Sequence, residues 1–463
     1  MTTDLTKGSP FKQILLFSIP YLIGILFQQF YNIADMVIVG RTLDINAYTA
    51  VGATGGLIWF ASGAIQSLTV GFSAVTARYF GSQDEEKVKQ SFASGIKLSA
   101  IISIPMTVLC MIFARPMLEL LRTPADIIDR SYSYLIWIFA GLIATAMFNL
   151  LSNVIRSLGD SKTPLYFLII ACVINIILDF VFIVLCGMDT DGAGLATVLA
   201  QLISGLLCIG YIVKKQPRLH VSRRHFKTDR ALNSLMLKIG VPMAFQNMVI
   251  SIGGICIQFV TNGLGTVYVS SQATGTKIET FVTQPILSFG SAASVFVAQN
   301  YGAGKPSRVI EGSRQTLLIT FSWCAIACAI MIPFGKLIVG LLTGSDVSPE
   351  IVDNAYRYII VNTALSFVVA PLIVYKSVLQ AIGRTVWPMI SGFTEIIGRA
   401  GVALVVMYIV EKAILSGSAS YTVMCFATPA AWIFGFLTVL PDYIVTARKL
   451  RKTPDSTELP ENI

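Results

Sequence analysis

Charge is scarce in this chain. Asp, Glu, Lys and Arg together make up 13% of its 463 residues, whereas hydrophobic residues make up 54%. A soluble globular domain carries about 25% charged residues, so this composition excludes a soluble protein. It predicts a polytopic membrane protein without a separate soluble domain.

Histidine is nearly absent, and the cysteines lack any metal-site spacing. Only His220 and His225 occur, both in a basic loop, and the eight cysteines lie in apolar runs without a CxxC motif. No zinc motif, Ser/His arrangement or nucleotide-binding glycine loop supports an enzyme. We therefore expect a protein that is not an enzyme and needs no cofactor.

Long apolar runs separated by short polar breaks recur from Phe11 to Thr446, about twelve in all. Basic residues concentrate in alternate loops, most densely between Tyr211 and Ser234. By the positive-inside rule, both termini are predicted to be cytoplasmic. Because the basic residues form no single patch, the net charge of +9 does not indicate a nucleic-acid partner.

The two halves of the chain resemble each other at three places. The matching stretches are SIP at 18–20 with GVP at 240–242, SAVTARYFG at 73–81 with SVFVAQNYG at 294–302, and RSLGDSKTP at 156–164 with QAIGRTVWP at 380–388. Their offsets of 222, 221 and 224 positions are nearly equal. Six spans separate equivalent points, so both halves have the same orientation in the membrane.

This repeat predicts an all-α polytopic membrane protein with about twelve transmembrane helices in two pseudo-symmetric six-helix lobes. We expect an N-terminal lobe at 1–213, a basic cytoplasmic linker at 214–234, a C-terminal lobe at 235–446 and a disordered cytoplasmic tail at 447–463.

Two carboxylates lie inside apolar runs of the first half. Asp35 belongs to an uncharged run that begins after Lys12, and Asp179 lies well inside the fifth run. A charge in a transmembrane helix is costly and usually marks function. For Asp35 the alternative is a solvated position at the outer boundary, since Arg41 follows closely.

Amide and hydroxyl groups accompany the acids. Asn175 is one turn before Asp179 on the same helix face, and Thr197 and Asn153 add oxygens at similar depths. Such oxygens are the ligands that Na⁺ prefers, in which case Asp35, Asn175 and Asp179 would hold the metal. The same carboxylates can instead carry protons, and the Asn and Thr side chains can serve as packing contacts between helices. The sequence leaves Na⁺ and H⁺ both open.

The second half lacks this pattern. At the repeat offset, Asp35 corresponds to Ile257 and Asp179 to Ala403, so the predicted ion site belongs to the first lobe. The second half has instead Glu395 and Arg399, whose spacing allows a pair within one helix. For a substrate cavity between the lobes, the candidates are Tyr31, Gln246, Phe281 and Glu279. The alternative for Glu279 is an interfacial pair with Lys277, and for Lys376 a snorkelling position at the cytoplasmic side.

Several motifs resemble the multidrug and toxic compound extrusion (MATE) family. They are FSIPYLIGILFQQFYNIADMVIVG at 17–40, AVGATGG at 50–56, VTARYFG at 75–81, NVIRSLGDSKTP at 153–164 and VAQNYGAGK at 297–305. The resemblance covers roughly Phe11 to Thr446. It implies a twelve-helix, two-lobe exporter that exchanges Na⁺ or H⁺ for organic, often cationic drugs.

The resemblance also implies roles for particular residues. Asp35 matches the family's first-helix acid, and Asn175, Asp179 and Thr197 match the first-lobe cluster of the DinF-like branch, with Asn153 as a further match. NorM-like members also use acids in the seventh and tenth helices. The corresponding stretches here, PMAFQNMVIS at 242–251 and FVVAPLIVYK at 367–376, contain no acid, which places the chain closer to the DinF-like branch.

We therefore predict a secondary active multidrug efflux antiporter that works by alternating access in the cytoplasmic (inner) membrane and contributes to antibiotic resistance. Its partners would be organic cations or drugs and membrane lipids, without nucleic acid, and it would act as a monomer. The alternative is a flippase for a lipid-linked saccharide on a related two-lobe fold, which would need a strongly cationic central cavity.

Overall fold

The computed structural model describes residues 3–227, 229–343, 348–412, 414 and 416–455. Within these ranges the regular structure is entirely helical, as the sequence predicts. The α-helices of the described ranges are α1 (Pro10–Thr42), α2 (Ile45–Gly81), α3 (Glu85–Leu120), α4 (Ile128–Ala140), α5 (Leu142–Ser157), α6 (Lys162–Asp179), α7 (Thr190–Lys215), α8 (Arg230–Leu264), α9 (Thr266–Gly302), α10 (Pro306–Thr343), α11 (Pro349–Ala364), α12 (Ser366–Ala381), α13 (Val386–Glu411), α14 (Gly417–Met424) and α15 (Ala427–Lys452).

The helices account for the predicted number of membrane spans. In the described part of the chain, ten helical stretches are long and apolar enough to cross a bilayer. Two further pairs, α4 with α5 and α11 with α12, bend by 46° and 49° at a short break. When each bent pair is counted as one span, the total is twelve, which agrees with the hydropathy pattern.

The connection between the two halves is partly helical. α7 ends at Lys215 and α8 begins at Arg230, inside the predicted linker. The Asp229 carboxylate accepts a hydrogen bond from the Ala231 backbone N–H at 3.2 Å, and such a cap fixes a helix start. Two 3₁₀ helices, Pro217–Leu219 and Arg223–Phe226, lie between α7 and α8.

The last helix is longer than predicted. α15 continues past Thr446 to Lys452, so the expectation of a disordered tail from residue 447 is wrong for this stretch. Lys449, Arg451 and Lys452 occupy its last turn, where basic side chains interact favourably with the helix dipole. Residues 456–463 of the predicted tail lie outside the described residues.

Both ends of the described chain lie at the same end of the bundle. The backbone N–H of Ser307, at the start of α10, donates to the Asp455 carboxylate at 3.1 Å. The Leu5 peptide contacts the end of α9, because its N–H donates to Gln299 Oε1 and its carbonyl accepts from Asn300 Nδ2, each at 3.0 Å. We call this the terminal end of the bundle.

The two halves pack against each other mainly through α2, which lies along α8 and α9. A Cβ atom added at Gly71 of α2 would lie 2.5 Å from the Gly240 Cα atom of α8, so only glycine permits this approach. Gly55 and Gly56, farther along α2 from the terminal end, have no neighbour within 4 Å of such an atom. The halves therefore touch closely toward the terminal end, and α2 has open space beside Gly55 and Gly56 toward the opposite end.

At the opposite end, Arg130 of α4 joins two loops. Its Nη1 donates to both Asp44 carboxylate oxygens at 2.7 and 2.8 Å, and its Nε donates to Asp189 Oδ2 at 2.8 Å. The hydrogen bonds from Arg130 hold the pKa of the Asp44 carboxyl below its ordinary value. Asp44 also caps α2 through the Ala47 N–H, so this exposed cluster fixes the start of that helix.

Candidate functional site

The structure brings Asp35 and Asp179 together. Asp35 belongs to α1 and is 5% exposed, and Asp179 ends α6 and is 0% exposed. The two carboxyl groups lie within hydrogen-bonding reach of each other. Asp35 is therefore buried, and its alternative position among solvated headgroups is not observed.

The backbone around Asp179 is irregular. α6 ends at this residue and continues as a π-helical segment, Phe180–Leu185. Wider turns of this π type are frequent at functional sites. They change the direction in which the following side chains point.

Polar side chains from four helices surround the two acids. The Tyr134 hydroxyl of α4 is 3.5 Å from Asp35 Oδ2, a long hydrogen bond. The Asn175 amide fits best with its nitrogen toward Asp179, where it donates to Oδ2 at 3.1 Å while its oxygen accepts from the Thr197 N–H at 3.2 Å. The Tyr31 hydroxyl donates to Thr197 Oγ1 at 2.9 Å. We call Tyr31, Asp35, Tyr134, Asn175, Asp179 and Thr197 the acid site.

No basic side chain neutralises the acid site in the part of the chain that the structure describes. No Lys or Arg is an electrostatic partner of Asp35 or Asp179 there, and the Oδ1 atom of each acid is buried without a hydrogen-bond partner. Two ionised carboxylates this close repel each other strongly in a site of low dielectric constant. The geometry therefore requires at least one proton or one bound cation between them.

The donor set fits a hard monovalent cation better than a transition metal. Carboxylate, amide and hydroxyl oxygens suit Na⁺, whereas zinc sites need Cys or His. Among the described residues, no three His, Cys, Asp or Glu side chains form a metal-binding group. Asp35, Asp179 and Asn175 are the residues that would hold Na⁺, with Thr197 beside them.

Asn153 lies outside the acid site, contrary to the grouping expected from the sequence. Its Nδ2 donates to Thr69 Oγ1 of α2 at 3.1 Å, and its Oδ1 accepts from Arg156 Nη1 at 3.1 Å. α5 presents Asn153 toward α2, on a different side from the acids. The expectation that it joins Asp179 is therefore wrong for this conformation.

The four residues proposed for a substrate cavity do not share one described pocket. Tyr31 belongs to the acid site, and Gln246 Oε1 accepts from Gln380 Nε2 at 2.8 Å in the second half. Glu279 accepts from the Tyr358 hydroxyl at 2.6 Å, so its recorded partner is not Lys277. Phe281 is 40% exposed. Their role in binding substrate stays a prediction.

A buried charged cluster occupies the second half. Lys376 of α12 forms an ion pair with Glu395 of α13, and Arg399 Nη1 lies 3.7 Å from the other Glu395 oxygen. Lys376 and Arg399 are each 8% exposed and Glu395 is 3% exposed. The snorkelling alternative for Lys376 is wrong, whereas the predicted pairing of Glu395 with Arg399 is observed.

Sequence reasoning missed Tyr134 and Tyr358 as partners of Asp35 and Glu279, and it missed the pair between Lys376 and Glu395. The two tyrosine contacts join helices that are distant in the chain, and the Lys376–Glu395 contact joins the consecutive helices α12 and α13. Periodicity within one helix carries no information about which faces meet, so no local signal could have identified them.

The helical bundle with twelve spans and a buried acid pair defines a polytopic membrane protein of the transporter type. The sequence profile of the MatE family matches residues 20–181 and 242–409, two segments that begin at the equivalent prolines of the internal repeat. The chain belongs to the MatE (MATE) family of transporters.

Relatives and solved structures agree with this assignment. The probable multidrug resistance protein YoeA of Bacillus subtilis is 25% identical over 94% of this chain and 95% of its own. The FAD transporter of Shewanella oneidensis is 23% identical over 84% of this chain and 86% of its own. A solved outward-facing structure of a multidrug resistance MATE family transporter superposes with a TM-score of 0.87 at 20% identity, covering 98% of this chain and 100% of that one. These proteins are transporters, which agrees with the expectation that the chain is not an enzyme.

Proposed function

We propose that this protein is a secondary active antiporter that exports organic, often cationic and lipophilic compounds in exchange for Na⁺ or H⁺. The single observation that carries the proposal is the buried pair of Asp35 and Asp179 without a basic partner among the described residues. Relatives named as multidrug resistance and multidrug export proteins support the substrate class. They do not favour the flippase alternative.

Coupling would arise from different preferences for two conformations. An ion bound between Asp35 and Asp179 stabilises the conformation in which the acid site stays intact. The exported compound stabilises the conformation in which the acid site is disrupted. A ligand shifts such an equilibrium only by its difference in affinity for the two states. Exchange of one proton for one monovalent cation is electrically neutral, so about 1.4 kcal/mol per pH unit would drive it.

We assign the terminal end to the cytoplasm and place the protein in the cytoplasmic membrane as a monomer surrounded by lipid. The structure would then be the outward-facing state, because α2 contacts α8 and α9 toward the terminal end and leaves Gly55 and Gly56 open farther along. The segments 1–213 and 235–446 would move as two lobes.

We also place the chain nearer the DinF-like branch than the NorM-like branch. Support comes from the first half, where Asp35 and Asp179 have no basic partner in the described part of the chain and Asn175 and Thr197 complete the site. The stretch of α12 that carries an acid in NorM-like members contains Lys376, which pairs with Glu395. Coupling in the second half would therefore have to use other groups.

The test is efflux of a fluorescent organic cation from proteoliposomes under an imposed Na⁺ gradient or pH gradient. Asp35→Asn and Asp179→Asn should each abolish uphill efflux under the driving gradient. Asp44→Asn is the matched control, because it removes an exposed carboxylate from a loop at the opposite end. Uphill efflux in both site variants would refute the proposed acid site, and no efflux by the wild type under either gradient would refute the antiporter.

A further inference from the structure

A small cavity lies where the two halves meet, between the acid site and the terminal end. Its volume is about 30 Å³, enough for water or a carboxylate group. α1, α2 and α5 of the first half line it together with α9 of the second half. Among the lining residues are Ser73, Asn153, Arg156, Ser291 and Ser294.

Arg156 is the charged residue of this cavity. Its guanidinium carbon lies 4.7 Å from the centroid of the Tyr21 ring, which also lines the cavity. Its Nη1 donates to Asn153 Oδ1 at 3.1 Å, and its Nε is buried without a hydrogen-bond partner. The aromatic face and the amide therefore hold the guanidinium in place and leave the buried Nε donor without a partner.

No carboxylate neutralises Arg156 within the ranges that the structure describes. Its electrostatic partners there are Tyr21 and Cys208, and neither is a carboxylate. A cation enclosed in a membrane protein without an opposite charge is strongly disfavoured. The hydroxyls of Ser291 and Ser294 of α9 add further hydrogen-bond donors to the same cavity, whereas the Ser73 hydroxyl of α2 donates to the Val70 carbonyl at 2.9 Å. An oxyanion supplies the charge and the acceptors that this arrangement lacks.

We propose that Arg156 binds an oxyanion of the exported compound, a carboxylate or a phosphate monoester. The proposal rests on the proposed export function and extends its substrate class to zwitterionic compounds, whose cationic part would remain free to interact elsewhere. In this conformation the cavity admits only the oxyanion. Separation of α9 from α1 and α2 would enlarge it and expose Arg156 to compounds arriving at the terminal end.

The test compares two dyes that share one xanthene cation. Rhodamine 110 carries a free benzoate, and rhodamine 123 is its methyl ester. Affinities of the purified full chain in neutral detergent are measured by fluorescence polarisation. The wild type should prefer rhodamine 110, and Arg156→Gln should weaken its binding about tenfold or more, the usual size of a lost hydrogen bond between charged groups. Binding of rhodamine 123 should change less than about twofold.

Two matched variants distinguish the loss of the Arg156 charge from a general folding defect. Arg130→Gln removes an arginine from the exposed cluster at the opposite end and should leave the ratio of the two affinities unchanged. Ser294→Asp keeps Arg156 but places a carboxylate in the same cavity, so it should also remove the preference for rhodamine 110. If Arg156→Gln does not fold, Ser294→Asp still tests whether an oxyanion binds beside Arg156.

Adding phosphatidylglycerol to the detergent distinguishes the source of the oxyanion. If phosphatidylglycerol weakens rhodamine 110 binding to the wild type but not to Arg156→Gln, a lipid headgroup reaches the same site. If it does not weaken this binding, the soluble compound is the ligand. The proposal is overturned if the wild type binds both dyes equally or if Arg156→Gln weakens both to the same extent. Failure of gradient-driven rhodamine 123 efflux would instead refute the exchange function, because the affinity ratio needs no gradient.

Discussion

Gly81 at the end of α2 and Gly302 at the end of α9 each lie directly against the backbone of the other helix. A Cβ atom added at Gly81 would be 1.9 Å from the Gln299 carbonyl oxygen, and one added at Gly302 would be 1.9 Å from the Arg78 carbonyl oxygen. The two glycines are equivalent in the internal repeat. The contact between the halves at the terminal end is therefore itself two-fold symmetric and requires glycine on both sides.

Gly81→Ala should destabilise the closed terminal end. A methyl group at this position must push backbone away from backbone, and overpacking of this kind typically costs about 1–3 kcal/mol. We expect a lower thermal midpoint and faster labelling by an impermeant maleimide of a single cysteine placed at Ser157. Gly55→Ala in the same helix is the control, because nothing lies within 4 Å of its added methyl group. Equal effects of the two substitutions would contradict the proposed contact.

Gln299 links the two halves with a single side chain. Its Oε1 accepts from the Leu5 N–H at 3.0 Å, and its Nε2 donates to the Ser157 carbonyl at 2.7 Å. Gln299→Ala leaves both buried backbone groups unpaired, at about 1–3 kcal/mol each. We expect faster hydrogen exchange in residues 3–9 and at the end of α5. Gln258→Ala, which removes an exposed glutamine of α8, should leave exchange in both segments at the wild-type rate.

The charged cluster of the second half predicts unequal effects for its members. Glu395→Gln leaves Lys376 and Arg399 buried with like charges, whereas Lys376→Met leaves Glu395 beside Arg399. Removing one partner of a buried pair costs about 3–5 kcal/mol when the other stays uncompensated. Thermal unfolding in detergent should therefore show a larger loss for Glu395→Gln than for Lys376→Met. A larger loss for Lys376→Met would mean that Arg399 does not neutralise Glu395.

The sequence predicts the fold well because membrane insertion imposes a strong local pattern. Each span is a long apolar run that can be recognised by itself, and the repeat gives the orientation of both halves. The i, i+4 spacing of Asn175 and Asp179 also identifies two neighbours in the acid site. Tyr134 could not be placed, because its contact with Asp35 depends on how α4 bends before α5.

Asn153 shows a second limit of prediction from the sequence. Its position within its apolar run predicts a depth in the membrane similar to that of Asp179, but this depth does not determine the direction of its side chain. The rotation of α5 turns it toward Thr69 and Arg156. The cavity beside Arg156 is likewise formed by four helices, and no single stretch of sequence contains it.

The contact between Asp35 and Asp179 predicts that their effects on coupling are not additive. If one ion is shared between the two carboxyl groups, removing either acid destroys the whole site. Removing the second acid then causes no further loss of coupling. Efflux against a gradient should therefore be as low in Asp35→Asn and in Asp179→Asn as in the double variant.

Equilibration of the dye down its own gradient provides the control for folding, because a correctly folded but uncoupled transporter still exchanges its substrate. All three variants should retain it within about threefold of the wild type. Two independent ion sites would give a different result: each single variant would keep part of the uphill efflux, and only the double variant would lose all of it. Such additivity would show that the two acids, although adjacent in this conformation, bind their ions separately during the cycle.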